Sequence, residues 1–323
     1  MLSNFAYVRP GTLPEAIRLA GQSGAQIHGG GTDLLGALRD RAVEASLVVS
    51  LQNIAELRGI VVSADGSLCV GALVTLAEIA GDARIRERWP ALADAAAAAA
   101  SPQLRNQGTI GGNLCQKPRC WYWRGEFPCA RKGGDTCFAI NGENEFHAIF
   151  GGDVCVYVHP SDPAVALVSC DALIRIVGPG GPRVVPVERF FVLPATDHRR
   201  ETVLEAGEIV TEVVVPAPPV GIAGVYRKAR SRAAWDFALA GAAVTLGRRD
   251  GVITQARVVL SGVAPTPWRL PAVEQVITGT TLTAEVIHRA ATLATKGATP
   301  LGGNAMKVPL VGGVVEQALT ALV

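Results

Sequence analysis

The chain has 323 residues, of which 49% are hydrophobic and 18% are charged, and its formal net charge is +2. This composition is typical of a globular protein that is long enough for two or three packed domains. The near-neutral charge indicates neither a nucleic-acid-binding surface nor a polybasic membrane patch. No apolar run reaches the roughly 18 residues of a membrane-spanning helix. We therefore expect no nucleic-acid partner and no membrane insertion.

The first residues, MLSNFAYVRPG, contain no basic region followed by an apolar region, and no twin arginine. These are the features of an export signal, so the sequence predicts no signal in this chain. We expect a cytoplasmic protein, or a periplasmic protein that is exported together with a signal-bearing partner.

The first hundred residues alternate between helical and strand patterns. Thr12 is placed as the N-cap of an amphipathic helix that ends at Gly24, because Glu15 follows three residues later. A short strand, a glycine turn, a helix and a second buried strand come next. A hairpin around residues 64–66 and an alanine-rich helix follow.

The second half of the chain is richer in strand patterns. A strand is predicted from about Phe146, and a proline-rich stretch at residues 215–224 is the best candidate for a domain boundary. Beyond it, strands at 241–246 and 256–263 precede two helical stretches. This order predicts a smaller C-terminal α+β domain.

Two glycine-rich loops are candidates for binding a cofactor. The first, HGGGTDLL at residues 28–35, lets backbone N–H groups approach an anion without obstruction by Cβ atoms. Its spacing fits neither the dinucleotide-binding GxGxxG pattern nor a Walker A loop, and a tight strand–helix turn is the alternative interpretation. The second, QGTIGGNL at residues 107–114, is again glycine-rich and polar. Together the two loops favour a site for one long cofactor that contains phosphate.

Cysteines are concentrated between the two halves of the chain. Cys120, Cys129, Cys137 and Cys155 are separated by 8, 7 and 17 residues, with no CxxC pair. In a reducing compartment such a cluster indicates metal binding rather than disulfides. Four thiolates suit either zinc or an iron–sulfur cluster, and the wide spacing favours [4Fe–4S]. Zinc, or an insertion whose cysteines bind nothing, remains the alternative.

The other reactive side chains give no catalytic pattern. Cys115, Cys69 and Cys170 are interpreted as packing residues. No Ser–His–Asp or Cys–His arrangement is recognisable, so we predict no catalytic residue in this chain.

Four motifs in one order carry a resemblance to a known family. HGGGTDLL, RNQGTIGGNL, HPSDPAVAL and YRKARSRAAWDFALAG resemble the flavin-binding subunit of the molybdenum hydroxylases, such as xanthine dehydrogenase, carbon monoxide dehydrogenase and bacterial aldehyde oxidoreductases. The resemblance covers essentially the whole chain. It implies an α+β protein with a vanillyl-alcohol-oxidase-type (PCMH-type) FAD-binding domain at 1–218, in subdomains 1–60 and 61–218. A C-terminal domain like that of the carbon monoxide dehydrogenase flavoprotein is implied at 219–323.

The resemblance also implies which residues hold FAD. Asp162 would accept hydrogen bonds from the adenosine ribose, and Lys228 would reach the polar edge of the isoalloxazine, where a cation stabilises the anionic reduced flavin. Ala72 would lie along the cofactor, and Val210 would pack on the flavin ring or the adenine. Without the family, Asp162 is interpreted as a helix N-cap and Lys228 as a surface cation. The implied set is Ile27, His28, Gly29, Gly30, Gly31, Thr32, Asp33, Leu34, Ala72, Thr109, Gly111, Gly112, Asn113, Asp162, Val210 and Lys228.

The cysteine-bearing insertion, at about residues 115–156, distinguishes this chain from most flavin subunits of the family. Two branches carry such an insertion, the 4-hydroxybenzoyl-CoA reductases and a group of aldehyde oxidoreductases, and both bind one [4Fe–4S] cluster in it. The RC-aromatic opening and the PC followed by basic residues are most similar to the aldehyde oxidoreductase type. The resemblance thus implies Cys120, Cys129, Cys137 and Cys155 as ligands of a [4Fe–4S] cluster.

The function implied is that of an oxidoreductase subunit in a heterotrimeric, molybdenum-containing aldehyde oxidoreductase. The partners would be a large molybdopterin-binding catalytic subunit and a small subunit with two [2Fe–2S] clusters. Electrons would pass from those clusters to FAD and on to an external acceptor. A 4-hydroxybenzoyl-CoA reductase-like or xanthine dehydrogenase-like subunit is the alternative within the family. A non-redox nucleotide-binding module with structural zinc is the alternative outside it.

Overall fold

The computed structural model describes residues 2 and 4–323, and within them the strands form three β-sheets in chain order. The first sheet is parallel, with the order β1-β3-β2, and it carries two helices. Its elements are β1 (Ala6–Val8), α1 (Leu13–Ala20), β2 (Ala25–His28), α2 (Leu34–Arg39) and β3 (Leu47–Ser50).

Local sequence signals explain the start of helix α1 but not its end. The Thr12 side chain accepts a hydrogen bond from the Glu15 N–H at 3.4 Å, as the N-cap prediction requires. The helix ends at Ala20 with Gly21 as its C-cap, so the predicted end at Gly24 is wrong. Gly24 instead has a φ of +73° and turns the chain into strand β2.

The second sheet is antiparallel, with the order β4-β5-β8-β6-β7, and its two halves come from segments that are distant in the sequence. Short helices and the cysteine insertion lie between them. The strands are β4 (Ile60–Val62), β5 (Leu68–Gly71), β6 (Leu173–Gly178), β7 (Gly181–Pro186) and β8 (Ile209–Val215). The helices are α3 (Leu76–Gly81), α4 (Ala83–Arg88), α5 (Pro90–Ala98), α6 (Pro102–Arg105), α7 (Ile110–Leu114), α8 (Trp121–Arg124), α9 (Phe138–Asn141), α10 (Asp162–Ser169) and α11 (Pro194–Asp197).

The third sheet is antiparallel, with the order β12-β11-β10-β9, and the proline-rich stretch joins it to β8. Three helices follow its last strand and build an apolar core with it. The elements are β9 (Ala223–Ala229), β10 (Ala240–Arg249), β11 (Val252–Ser261), β12 (Trp268–Arg269), α12 (Pro271–Ile277), α13 (Ala284–Ala294) and α14 (Lys307–Thr320).

Helix α10 connects the second and third sheets. Each of its residues is buried, which requires apolar surroundings on every face. It packs against helix α5 on one side and against strands β10 and β11 on the other. The start of α10 is therefore fixed in position relative to both sheets. No helix within residues 2 and 4–323 is long and apolar enough to cross a membrane.

The strand predicted from Phe146 is wrong, because this segment bonds to side chains and loops instead of a neighbouring strand. The Lys307 Nζ donates to the carbonyl oxygens of Phe146, His147 and Gly262 at 2.7–3.0 Å. The Asn304 Nδ2 donates to the carbonyls of His147 and Ala148 at 3.2 and 3.3 Å. The C-terminal domain thus holds the end of the cysteine insertion through side-chain donors.

Replacing Asn304 by leucine tests this contact. Asn304 is fully buried, so the Asn304→Leu variant leaves the Ala148 carbonyl without its side-chain donor, while the His147 carbonyl keeps only the bond from Lys307. We expect the free energy of unfolding to fall by about 1–3 kcal/mol, measured by urea denaturation. The control is Gln317→Leu, an exposed amide on helix α14, for which we expect a change within about 0.5 kcal/mol. Equal stability of the two variants would contradict the assigned role.

Candidate functional site

A cavity of about 930 Å³ lies between the first sheet, helix α7, strand β9 and the segment before β8. Its volume is in the range of small-molecule and cofactor sites. Its lining contains every residue of the FAD set implied by the sequence except His28. The structure thus brings together residues that are spread over 200 positions of the chain.

The two glycine loops form one wall of the cavity by packing backbone against backbone. A Cβ atom on Gly30 would lie 1.7 Å from the Gln107 carbonyl oxygen, and one on Gly29 would lie 2.8 Å from the Thr109 Oγ1. Only glycine fits at a contact this close, and Gly31 also has a φ of +76°. This wall therefore presents bare backbone, which is what close approach to a diphosphate requires.

His28 is the member of the implied set that does not line the cavity, and its role in binding FAD stays a prediction. Its ring makes an edge-to-face contact with Tyr7, with the ring centroids 5.9 Å apart. Burial lowers the pKa of this imidazole. His28 therefore belongs to the packing around the first sheet.

The end of the second glycine loop is fixed by hydrogen bonds. The Thr109 Oγ1 accepts from the Gly112 N–H at 3.2 Å, which caps helix α7. The Ser161 hydroxyl donates to the Asn113 Oδ1 at 2.5 Å and so orients the amide of that residue. The loop is thereby tied to the start of helix α10.

A buried ion pair lies at one end of the cavity. The Lys228 Nζ is 2.8 Å from the Asp162 Oδ2, and the two side chains are 4% and 6% exposed. The Tyr226 hydroxyl donates to the other Asp162 oxygen at 2.5 Å and is 2.8 Å from the Ser261 hydroxyl. Burial and the Asp162 charge raise the pKa of Tyr226.

The structure shows that two interpretations made without the family resemblance are wrong. Lys228 is not a surface cation, and the N-cap of α10 is Ser161, whose hydroxyl accepts from the Ala164 N–H at 3.0 Å. Since Asp162 and Lys228 contact each other, they meet the same part of an extended cofactor. The assignments of Asp162 to the adenosine ribose and of Lys228 to the isoalloxazine edge stay predictions.

The cysteine insertion supplies cations to the cavity, which the sequence analysis missed. Lys117, Arg119 and Arg124 line it. The Asp33 carboxylate lies 2.7 Å from an Arg124 nitrogen and 2.9 Å from an Arg119 nitrogen, and it accepts from the Lys117 backbone N–H at 2.7 Å. The Asp33 side chain, implied to hold FAD, is thus occupied by the insertion. In the sequence, the only indication of these cavity-lining cations is the basic run that follows the second glycine loop.

A second carboxylate on the lining of the cavity also holds the insertion. The Lys117 Nζ is 2.8 Å from the Glu201 Oε2, and the buried Arg131 guanidinium donates to the other Glu201 oxygen. Arg131 also lies over the Tyr157 ring, 4.8 Å from its centroid. Glu201 is therefore a shared partner of two cations of the insertion.

The four predicted metal-binding cysteines are neighbours. Burial raises the pKa of Cys120, and the charges of Cys137 and Cys129 raise it further. A hydrogen bond from the Cys155 thiol lowers the pKa of Cys137 to about 6, and the same bond raises the pKa of Cys155. Within residues 2 and 4–323, all cysteines are free thiols, and no group of three or more His, Cys, Asp or Glu side chains is placed to hold a metal ion.

The remaining cysteines lie in other surroundings. Cys115 packs against the main core at the edge of the cavity, and burial raises the pKa of its thiol to about 12. The Cys69 Sγ lies 3.7 Å from the Ser63 hydroxyl, and the Cys170 Sγ lies 3.8 Å from the Thr245 hydroxyl. Contacts of this kind are typical of cysteines that pack inside a protein.

A smaller cavity of about 300 Å³ separates the cysteines from the ion pair. Cys120 and His147 line one side of it, and Asp162 lines the other. The His147 Nε2 is 3.2 Å from the Cys120 Sγ. The cysteine neighbourhood therefore adjoins the ion-pair end of the larger cavity.

The fold and the cavity together define a flavin-binding protein, and comparisons with known proteins give its family. Residues 3–218 match the FAD binding domain in molybdopterin dehydrogenase, and residues 224–321 match the CO dehydrogenase flavoprotein C-terminal domain. The chain belongs to the FAD-binding medium subunits of the molybdenum hydroxylase family. The predicted fold is confirmed.

Individual relatives agree with this assignment. The chain is 36% identical over 275 residues to the aldehyde oxidoreductase FAD-binding subunit PaoB of Escherichia coli strain K12, covering 84% of this chain and 85% of that protein. It is 29% identical over 325 residues to the carbon monoxide dehydrogenase medium chain of Hydrogenophaga pseudoflava, covering 98% and 96%. The solved carbon monoxide dehydrogenase from that organism matches with a TM-score of 0.79 and 28% identity over 100% of this chain and 98% of the other. The relatives are oxidoreductase subunits, so the predicted enzyme class is confirmed.

The Gly30→Ala variant tests the contact between the glycine loops. Its Cβ would clash with the Gln107 carbonyl, so one loop must move and the backbone wall is deformed. We expect FAD affinity to fall roughly tenfold or more, which is at least about 1.4 kcal/mol. FAD content and a flavin titration measure this. The control is Gly11→Ala in the same subdomain, where a Cβ meets no atom within 4 Å. Normal FAD binding by Gly30→Ala would show that FAD does not use this wall.

Proposed function

We propose that this chain is the FAD- and [4Fe–4S]-containing subunit of a heterotrimeric, molybdenum-containing aldehyde oxidoreductase. The observation that carries the proposal is that the four insertion thiols gather beside a cavity lined by the implied FAD residues. The relative that suggests the aldehyde substrate is the aldehyde oxidoreductase FAD-binding subunit, at 36% identity.

FAD fits the larger cavity by volume and by chemistry. The backbone wall at Gly29, Gly30 and Thr109 holds the diphosphate through N–H groups. The Lys228 ammonium, paired with Asp162, lies beside the part of the cofactor that reaches the end of the cavity. FAD supplies the capacity to accept two electrons and pass them on, and the protein contributes its binding, its orientation and the charge around it.

A [4Fe–4S] cluster fits the donor set of the insertion. Thiolates are the ligands that iron–sulfur clusters require, and here four come from separate points of one segment. Cys129 and Cys155 are buried, and Cys120 and Cys137 are half-buried, which protects a cluster from solvent. Without a metal, the contact with Cys137 and burial raise the pKa of Cys155, so this thiol is protonated until a cation displaces the proton.

The assembly that we propose contains two partner subunits. A large molybdopterin-binding subunit oxidises the substrate, and a small subunit with two [2Fe–2S] clusters delivers electrons to FAD in this chain. FAD then reduces an external acceptor. This arrangement is supported by the match to a medium chain of carbon monoxide dehydrogenase over nearly the full length of both chains.

A xanthine dehydrogenase-like complex is the second candidate. The chain is 30% identical over 272 residues to a putative xanthine dehydrogenase FAD-binding subunit of Escherichia coli strain K12, with 84% of this chain covered. The substrate is chosen by the large subunit, so activity of the assembled complex on an aldehyde and on a purine separates the two.

The absorption spectrum of the purified chain tests the cofactor content. We expect flavin bands together with a broad iron–sulfur shoulder, and roughly four irons and one FAD per chain. Metal analysis and flavin extraction give these ratios. A flavin spectrum with stoichiometric zinc and no iron would contradict the cluster, and a colourless protein would contradict both cofactors.

Replacing one predicted ligand separates the two cofactors. The Cys129→Ala variant removes a buried thiol of the insertion that does not line the FAD cavity. We expect nearly complete loss of iron while FAD content stays close to that of the unmodified chain. Cys69→Ala is the matched control, because Cys69 lies on strand β5 outside the insertion, and it should keep both cofactors. Unchanged iron in Cys129→Ala would show that the ligand assignment is wrong.

A further inference from the structure

We infer that the cysteine insertion is also part of the FAD site, with Lys117 as a positioning residue that bonds to Asp33 through its backbone N–H and neutralises Glu201 through its ammonium group. This inference rests on the proposed placement of FAD in the larger cavity. It gives the insertion a role in flavin affinity that is separate from binding a cluster.

Lys117 contacts both walls at once. Its backbone N–H donates to the Asp33 Oδ2 at 2.7 Å, and its side-chain ammonium lies 2.8 Å from the Glu201 Oε2. Asp33 directly follows the first glycine loop, whereas Glu201 lies in the segment before strand β8. Lys117 of the insertion therefore joins two segments of the chain that both line the cavity.

The two carboxylates need these partners. The side chains of Asp33 and Glu201 are 15% and 5% exposed, so their charges are poorly screened by solvent. Both residues line a cavity that is proposed to hold a diphosphate. Without compensation, two negative walls would repel the cofactor, and the repulsion is strong where the dielectric constant is low.

The insertion provides the compensation. Asp33 is paired with Arg119 and Arg124, and Glu201 is paired with Lys117 and Arg131. Each of these two carboxylates thus meets two cations, so its negative charge is compensated within the protein. Charge-assisted hydrogen bonds at buried sites are worth more than exposed ion pairs, and removing one partner leaves an unpaired charge.

The test is the FAD dissociation constant of the full-length chain, measured by flavin fluorescence after removal and re-addition of FAD. We expect Lys117→Met to raise the dissociation constant roughly tenfold or more, as for a lost hydrogen bond to a charged group. Lys117→Arg keeps the cation and should restore most of the affinity. Lys132→Met is the matched control, because it removes an exposed cation of the same insertion that does not line the cavity.

Iron content and thermal unfolding distinguish positioning from general structural support. We expect Lys117→Met to keep its iron and its unfolding temperature. Loss of iron and FAD together with a lowered unfolding temperature would overturn the inference. Arg119→Met is a second variant, which removes a cation paired with Asp33 instead of Glu201, and we expect weaker FAD binding there too.

Different outcomes of these measurements would contradict this inference and the proposed FAD placement. If Gly30→Ala loses FAD while Lys117→Met and Arg119→Met bind it within twofold of the unmodified chain, the positioning role is wrong. If Gly30→Ala binds FAD normally, the placement is wrong and the inference falls with it. Weaker binding in Lys117→Met and Arg119→Met, with Lys132→Met unchanged, supports the inference.

Discussion

The buried ion pair between Asp162 and Lys228 fixes the arrangement on which the flavin site depends. Asp162 is the first residue of helix α10, and Lys228 lies on strand β9 of the C-terminal sheet, with 2.8 Å between their charged atoms. Two charges removed from water are stable only as a pair, because loss of either leaves the other uncompensated. The C-terminal domain is therefore held against α10, and the cavity has a closed, charged end.

The same kind of pairing recurs at Asp33 and Glu201 on the cavity lining. Asp33, Glu201 and Asp162 are carboxylates on its lining, and each is matched by lysine or arginine. A site for an anionic cofactor contains acidic residues here without repelling it, because their charges are already used to hold the protein together. The acids position the cations, and the glycine loops leave the backbone free to approach the diphosphate.

The sequence predicted the parts of this site that depend on local chemistry. The glycines at 29–31 could be recognised as a binding loop because a close backbone approach needs a residue without a Cβ atom. The ion pair between Asp162 and Lys228 could not be predicted from the sequence, because 66 positions separate the two residues. Only the packing of α10 on the third sheet brings them together. The cations at 117–124 follow an irregular path without periodicity, so no pattern indicated that they face the cavity.

The long insertion is ordered because both of its ends are held. A structureless segment of about forty residues is costly to fix, at roughly 1–2 kcal/mol of backbone entropy per residue. Near the start of the insertion, Lys117 bonds to Asp33 and Glu201. Near its end, the side chains of Lys307 and Asn304 donate hydrogen bonds to backbone carbonyls. Cys120, Cys129 and Cys137 lie between these two anchors, and Cys155 follows the second one. The insertion's own charges and hydrogen bonds thus bring the thiols into one neighbourhood.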